Sequence, residues 1–325
     1  MGQIIRFHAT GGPQVLQLEH ADPGDPGPGE VRIAQAAIGI NFADIYVRQG
    51  IYPAPLPSPL GFEGAGVVAA VGSEVTGFAV GDRVAYAAGP LGAYAETRVI
   101  PAAHLLHLPP DIAFDTAAAA TLRGLTAGYW LLKTNPWLKA GDTILLHAAA
   151  GGVGLIAVQW AKLLGLRVIG TVSNEAKGAL ARAHGADEII LHNREDIAAR
   201  VRALTDGEGV STVFDSIGKA TYAASLASLK RRGVLVGGGT ASGPFPPIDA
   251  LELARAGSVY FTRPALADYI ADPAEREELA STLFGHLAAG RIRVGINQRY
   301  GLAEAARAHA ELEAGSTTGS LILVV

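Results

Sequence analysis

The stretch from Asp142 to Gly165 constrains the fold more than any other. Thr143-Ile144-Leu145-Leu146-His147 is a short apolar run, Ala148-Ala149-Ala150-Gly151-Gly152-Val153-Gly154 is a glycine turn, and Leu, Ile, Val, Trp and Ala follow at helical spacing. Glycines at the end of a strand let the backbone turn tightly and approach a pyrophosphate, which sits on the amides of the helix N-terminus. The helix dipole places partial positive charge there. Ala149 stands where the first glycine of G-x-G-x-x-G would be, while Gly151 and Gly154 hold the other two. Alone, so degenerate a fingerprint fits an ordinary strand-to-helix turn equally well. A second apolar run, Leu166 to Val172, follows directly and completes a βαβ unit. The expectation is a dinucleotide phosphate on Ala150, Gly151, Gly152, Val153 and Gly154.

From about Leu122 the same alternation continues, with strands expected at 143–147, 166–172, 187–191, 210–215, 233–238 and 257–262. Helical patterns fall between them at 122–134, 152–165, 174–184, 194–205, 219–230 and 249–255. That is a doubly wound parallel sheet. Before it, short apolar segments such as Ile4 to Phe7, Val31 to Ala37, Gly66 to Val71 and Arg83 to Tyr86 are separated by Gly- and Pro-rich turns. Asp22-Pro23-Gly24-Asp25-Pro26-Gly27-Pro28-Gly29 is a loop by composition. Such spacing reads as an all-β barrel or sandwich, with one short helix in Ile40 to Gly50. Beyond Pro264 come two helices, around 273–289 and 302–313, and a strand from Leu321 that packs back on the first domain. The fold class is therefore α/β, with residues 1–121 and 265–325 in one discontinuous domain and 122–264 in the other.

A chain of 325 residues, 49% hydrophobic and 17% charged, has room for two domains with a large core. No apolar run reaches membrane-spanning length without a charge or proline. The N-terminus goes straight into a strand pattern without a secretory h-region, so a cytoplasmic location is expected. The absence of cysteine removes disulfides, thiolate nucleophiles, iron–sulfur clusters and thiolate-bound zinc. A net charge of −4 and no basic, aromatic-rich stripe argue against nucleic acid as the main ligand.

Several stretches together resemble the medium-chain dehydrogenase/reductase superfamily, and within it the NADPH:quinone oxidoreductase (zeta-crystallin) family of bacteria. They are Gly39-Ile40-Asn41-Phe42-Ala43-Asp44-Ile45-Tyr46-Val47-Arg48-Gln49-Gly50-Ile51-Tyr52-Pro53, Gly61-Phe62-Glu63-Gly64-Ala65-Gly66 and Gly81-Asp82-Arg83-Val84. The His147 to Gly154 turn, Asp215-Ser216-Ile217-Gly218 and Phe261-Thr262-Arg263-Pro264 complete the set, in order over essentially the whole chain. The resemblance implies a GroES-like β-barrel catalytic domain built from both chain ends and a Rossmann domain between them. It also implies a homodimer through the last Rossmann strand, about 258–262. An unpaired edge strand needs a partner or a cover, which gives that dimer a physical motive.

The zinc-dependent branch of the superfamily uses Gly-His-Glu with cysteine ligands. Here Gly61-Phe62-Glu63 stands in its place, and the nine histidines form no ligand cluster in the sequence. No metal is expected. Without one, alcohol oxidation lacks its electrophile, whereas a quinone or enone is already electrophilic. The resemblance implies an NADPH-dependent quinone reductase; an enone or enoyl reductase is the alternative, and a structural or RNA-binding role a third class.

Asn41, Tyr46, Tyr52 and Arg263 match family site positions and are the catalytic candidates. A donor aimed at the acceptor oxygen would stabilise its developing charge, though the tyrosines equally suit amphipathic walls and Arg263 a structural ion pair. Asp44 and Arg48, at i, i+4, read as a surface pair. Thr126 matches a position contacting the nicotinamide end, and Ser216, Gly238 and Gly239 border it. Gly237-Gly238-Gly239 reads as a roomy pocket. Ser173 and Asn174 occupy the strand end where an NAD enzyme carries an acidic residue, and Lys177 matches a family lysine facing the 2′-phosphate, which favours NADPH. The family's Tyr-Arg pair and C-terminal arginine are missing; His192 replaces one of them and, when protonated, can contact the phosphate.

Overall fold

The computed structural model describes residues 1–325, and the chain divides into two compact units, Met1–Leu125 with Ile270–Val325, and Thr126–Tyr269. The expected α/β architecture is present. The division falls a few residues beyond the expected boundaries at 121 and 264. The first boundary falls within one continuous helix, Phe114–Lys133, which begins earlier than the helix expected from 122. Its first turns run through four consecutive alanines with no hydrophobic period, yet Ala117, Ala118, Ala119 and Ala120 are all buried.

In Thr126–Tyr269 the six strands are Thr143–Leu146, Arg167–Val172, Glu188–Leu191, Val210–Asp215, Leu229–Gly237 and Tyr260–Thr262. All pair in parallel, and their order in the sheet is third, second, first, fourth, fifth, sixth. This order places the switch point beside the first strand, where the glycine turn lies. Strands covered on both faces read as continuous apolar runs, and Val210–Asp215 is buried at every position. The helix expected over 219–230 is only Tyr222–Ser228, because Leu229 already enters the next strand.

In the other unit, Glu30–Gly39 is the central strand, with alternation of buried and partly exposed positions that bends into a fully buried end. It pairs antiparallel with Glu63–Val71, Thr97–Pro101 and Ser320–Val324. The C-terminal strand thus joins the N-terminal sheet. Ile296–Gly301, which pairs with it in parallel, is a strand the sequence reading does not contain; its outward Asn297 and Arg299 hide it in a polar stretch. Leu16–Ala21, Gly2–Phe7 and Ser58–Pro59 form a small separate sheet. Ile5, Phe7, Val31, Ile33, Ile38, Ile40, Tyr86, Tyr94, Ile100 and Leu323 build this unit's core.

Candidate active site

In the parallel-sheet unit the first strand ends at Leu146, and beyond His147 the chain turns at Ala148, whose φ of 51° lies in the left-handed region. The Gly151 N–H closes the turn onto the Ala148 carbonyl at 2.8 Å. Gly151 then caps the helix Gly152–Leu163 without any side-chain hydrogen bond. Its first amides therefore have no side-chain competitor for an anion. A Cβ at Gly154 would collide with the Ala148 carbonyl oxygen and lie 2.8 Å from the Ala149 carbonyl carbon. The helix is seated directly on the turn, which is what the last glycine of the fingerprint permits. Ala149, in place of the first glycine, is accommodated from the neighbouring strand: a Cβ at Gly170 would come within 2.7 Å of the Ala149 methyl.

Beneath this turn lies a buried polar frame that the sequence reading does not identify as such. Ser225 donates to Asp215 Oδ2 (2.6 Å), so its oxygen accepts from His147 Nε2–H (2.9 Å). Nδ1 of His147 then accepts from the Thr171 hydroxyl at 2.9 Å. Burial lowers the His147 pKa and keeps the ring neutral, as this tautomer requires. Asp215 Oδ1 accepts from the Ile217 and Gly218 amides at 2.8 and 3.0 Å and from the Thr221 hydroxyl at 2.8 Å. The frame fixes the loop carrying Ser216, which is half-buried, against the ends of three strands. Its signal in the sequence is a polar residue at or next to the end of each of three apolar runs, at His147, Thr171 and Asp215.

Gly238 and Gly239 do not open a pocket, contrary to the expectation. A Cβ at Gly238 would enter the Trp130 indole, 2.7 Å from Cε2, and one at Gly239 would strike the Ser216 backbone. Trp130, itself stacked on Phe214, fills the space that the small residues leave. Arg263 Nη1 donates to the Gly237 carbonyl at 2.9 Å and to Pro264 at 3.3 Å, so it braces the end of that strand. Thr126 lies half-buried in the helix Phe114–Lys133.

At the end of the second strand, the Val172–Leu191 register and the His192 N–H to Val172 carbonyl bond (3.2 Å) put Ser173 and His192 next to one another. Asn174 is the N-cap of the helix Glu175–Ala183, its Oδ1 accepting from the Lys177 N–H at 2.9 Å. Lys177 is half-buried in that first turn, and His192 is exposed. Arg194, which the sequence reading passes over, comes within 3.9 Å of Glu175 at the same helix start. The strand end thus carries a hydroxyl, a lysine, a histidine and an arginine, the chemistry a 2′-phosphate needs.

In the other unit, Asn41 opens the helix Phe42–Arg48 and is buried. Its backbone N–H donates to Asp44 Oδ2 (2.7 Å) and its side-chain Nδ2 to Glu63 Oε2 (2.8 Å), so two buried carboxylates hold it. Glu63 also accepts from the Leu122 N–H at 2.6 Å and from Arg123 at 3.3 Å. Burial pushes the Glu63 carboxyl up, against the Arg123 guanidinium, the Asn41 amide and the backbone donors. Burial likewise pushes Asp44 up to about 7, against the Asn41 and Tyr94 hydrogen bonds. Asp44 and Arg48 are not the surface pair expected: both are wholly buried and each has other partners. Tyr46 is buried, and its ring meets that of the half-exposed Tyr52 edge-on at 5.3 Å. The structure therefore brings Asn41, Tyr46 and Tyr52 together in one unit, while Arg263 and the glycine turn belong to the other.

The chain matches the zinc-binding dehydrogenase family over residues 152–271 and the alcohol dehydrogenase GroES-like domain over residues 27–110. It is 54% identical to a quinone oxidoreductase of Pseudomonas aeruginosa over 325 residues, all of both chains. The chain belongs to the quinone oxidoreductase family. The Escherichia coli quinone oxidoreductase, solved in complex with NADPH, superposes with a TM-score of 0.97 at 45% identity, covering 99% of this chain and 100% of that one. A 2-haloacrylate reductase of a Burkholderia species is 44% identical over 98% of this chain and 97% of its own. Although one matching domain is described as zinc-binding, this quinone oxidoreductase family member has no cysteine. Nor does it gather three His, Cys, Asp or Glu side chains into a set that could hold a metal. A zinc ligand set does not fit these residues.

Proposed function

We propose that the chain is a zinc-independent NADPH:quinone oxidoreductase. The observation that carries this reading is the turn at Ala148–Gly154, an uncapped helix start seated so closely on the strand end that only glycine fits at 154. Full-length identity to quinone oxidoreductases and the NADPH complex of the Escherichia coli relative support it.

NADPH, when bound, would supply a hydride, whose electron pair reduces the acceptor. Gly151, Gly152, Val153 and Gly154 offer backbone amides to its pyrophosphate, and Ser173, Lys177, His192 and Arg194 offer donors to its 2′-phosphate. Ala150, Ser216, Gly238 and Gly239 shape the edge of the same unit, and Thr126 starts it. Asn174 contributes through the cap it forms rather than through a free oxygen. On the acceptor side, a Tyr46 or Tyr52 hydroxyl donates to the oxygen that gains charge, and Asn41 sets the position of the helix bearing Tyr46. Preorganised donors of this kind lower the barrier most where charge develops. Arg263 holds the Gly237 carbonyl end of the sheet, and its remaining guanidinium nitrogens are the cation of this unit nearest in sequence to the dimer strand.

The 2-haloacrylate reductase among the relatives favours a second reading, reduction of an activated carbon–carbon double bond. Steady-state NADPH oxidation with 1,4-benzoquinone, an aliphatic enone and a 2-haloacrylate separates the two. The quinone is expected to be turned over at least ten times more efficiently than either alkene; the reverse order would replace the first reading by the second.

We further propose a homodimer through the edge strand. Tyr260–Thr262 ends the six-stranded sheet, and Tyr260, 48% exposed, packs at 4.9 Å on Trp137, 58% exposed. Two large aromatic side chains beside an unpaired strand edge invite a second copy. The Trp137→Ala, Tyr260→Asp double variant should run as a monomer in light scattering where the parent runs as a dimer. A monomeric parent would refute the assembly. No helix is long and apolar enough to cross a membrane, and the reading places the protein in the cytoplasm, where NADPH is kept reduced.

A further inference from the structure

A chain of buried hydrogen bonds leads away from Asn41 to the C-terminal helix Ala305–Glu313, and its direction is fixed at one end. Arg48 Nη1 lies 3.1 Å from His309 Nδ1, and a guanidinium can only donate. Nδ1 is therefore the acceptor, so the proton of the neutral ring is on Nε2. Burial, then Arg48, lowers the His309 pKa to about 3, which keeps that ring neutral. Nε2–H in turn donates to the Tyr94 oxygen at 2.9 Å. The Tyr94 hydroxyl is left to donate to Asp44 Oδ2 at 3.0 Å. Burial, then Asp44, pushes the Tyr94 phenol well up, so it retains its proton.

Asp44 Oδ2 is the terminus, because it also accepts the Asn41 backbone N–H at 2.7 Å. The Asp44 carboxyl meets Tyr94 and Asn41 directly, with Glu63 and Arg123 the other charges that act on it. Its second oxygen has no partner, and that oxygen receives the proton when Asp44 is neutral. At the far end, Arg48 grips both oxygens of Glu313 at 2.8 Å and the Gly11 carbonyl at 3.0 Å. Arg48 and Asp44 sit on the same short helix, so the chain leaves that helix at one end and returns to it at the other.

We propose that Tyr94, His309 and Arg48 are positioning residues for the active site, a one-way donor chain that anchors Asn41 and the Tyr46 helix to the C-terminal helix. The proposal rests on the reading of Asn41 and Tyr46 as site residues. It adds that residues far along the chain, in the helix Ala305–Glu313, set their geometry. None of the three touches substrate. Each acts through the next, and a single reversed or missing donor releases the Asp44 carboxylate that holds the Asn41 N–H. Networks in which every donor has its acceptor hold a geometry more firmly than isolated bonds do.

The test compares Tyr94→Phe, His309→Leu and His309→Gln in the full-length protein. A glutamine carbonyl accepts from Arg48 while its amide N–H donates to Tyr94, which preserves the direction of the chain; leucine preserves only volume. Tyr94→Phe and His309→Leu should lower kcat with 1,4-benzoquinone about tenfold, because the helix bearing Tyr46 is no longer held in place and its donor is misaligned with the acceptor oxygen. KM for NADPH, which is bound by the other unit, should change less than about twofold. Amide hydrogen exchange over residues 41–48, read by mass spectrometry, should speed up in the same two variants. His309→Gln should restore both kcat and protection. Unchanged kcat and exchange in Tyr94→Phe and His309→Leu would overturn the proposal, as would a His309→Gln variant no better than leucine. If the parent protein reduces no acceptor, the functional reading fails, and exchange alone decides whether the chain holds Asn41.

Discussion

Arg123→Met is expected to destabilise the protein by about 3–5 kcal/mol, the usual cost of removing one partner from a buried ion pair. Glu63 is wholly buried and Arg123 nearly so. Besides its 3.3 Å contact with Glu63, Arg123 donates to the Ala119 carbonyl at 3.2 Å and to the Ile40 carbonyl. The guanidinium thus joins the end of the strand Glu30–Gly39, the start of the strand Glu63–Val71 and the helix Phe114–Lys133. Methionine fills much of the volume but leaves a carboxylate with one cation fewer in a dry interior. Glu63 would then take up a proton or draw in water, and either response loosens the Asn41 Nδ2 contact. Equilibrium urea unfolding measures the loss. The double variant Arg123→Met, Glu63→Gln should recover part of it, because no uncompensated charge remains. A single-variant cost below about 1 kcal/mol would mean that water, rather than the ion pair, satisfies Glu63.

Gly154→Val should abolish tight NADPH binding, with Kd rising by about a hundredfold or more, equivalent to about 2.7 kcal/mol. The Cβ at this position meets the backbone of Ala148 and Ala149, not the end of a flexible side chain. Backbone cannot step aside, so the helix Gly152–Leu163 must lift from the turn and carry its amides with it. Ala148, already at a positive φ, has little freedom left to absorb the shift. Valine's two γ-methyls add to the same collision. Overpacking of this kind also costs about 1–3 kcal/mol of stability, so NADPH titration by calorimetry should be run where the variant is folded. Binding within tenfold of the parent would contradict the account of the turn.

Much of the fold is legible in the sequence because its signals are local. Short apolar runs alternating with helical patterns give the parallel strands, and the glycine turn marks where the first of them meets its helix. The helix start at Phe114 is hidden because a run of alanines has no period to read, and Ile296–Gly301 because a strand at the end of a sheet can be polar outside. Of the site, Asn41, Tyr46 and Tyr52 stand out by motif, and the structure brings them together. What motif reading does not show is pairing between distant positions. Asp44 and Arg48 read as an exposed i, i+4 pair; only the approach of Tyr94 and His309, from 50 and 261 residues away in sequence, buries them. The same holds for Gly238, whose small size suggests empty space although Trp130 fills it, and for Ser225, which links His147 to Asp215 from a separate helix.

The most direct test of the central claim is the ratio of kcat/KM for NADPH to that for NADH, with saturating 1,4-benzoquinone as acceptor. With Ser173, Lys177, His192 and Arg194 at the strand end, and Ser173 and Asn174 in the place where an NAD enzyme carries its acidic residue, NADPH should be preferred by about tenfold or more. The preference should fall when salt screens the phosphate contacts. Quinone turnover with equal use of NADH, or no quinone turnover with either cofactor, would contradict the reading of this chain as an NADPH:quinone oxidoreductase.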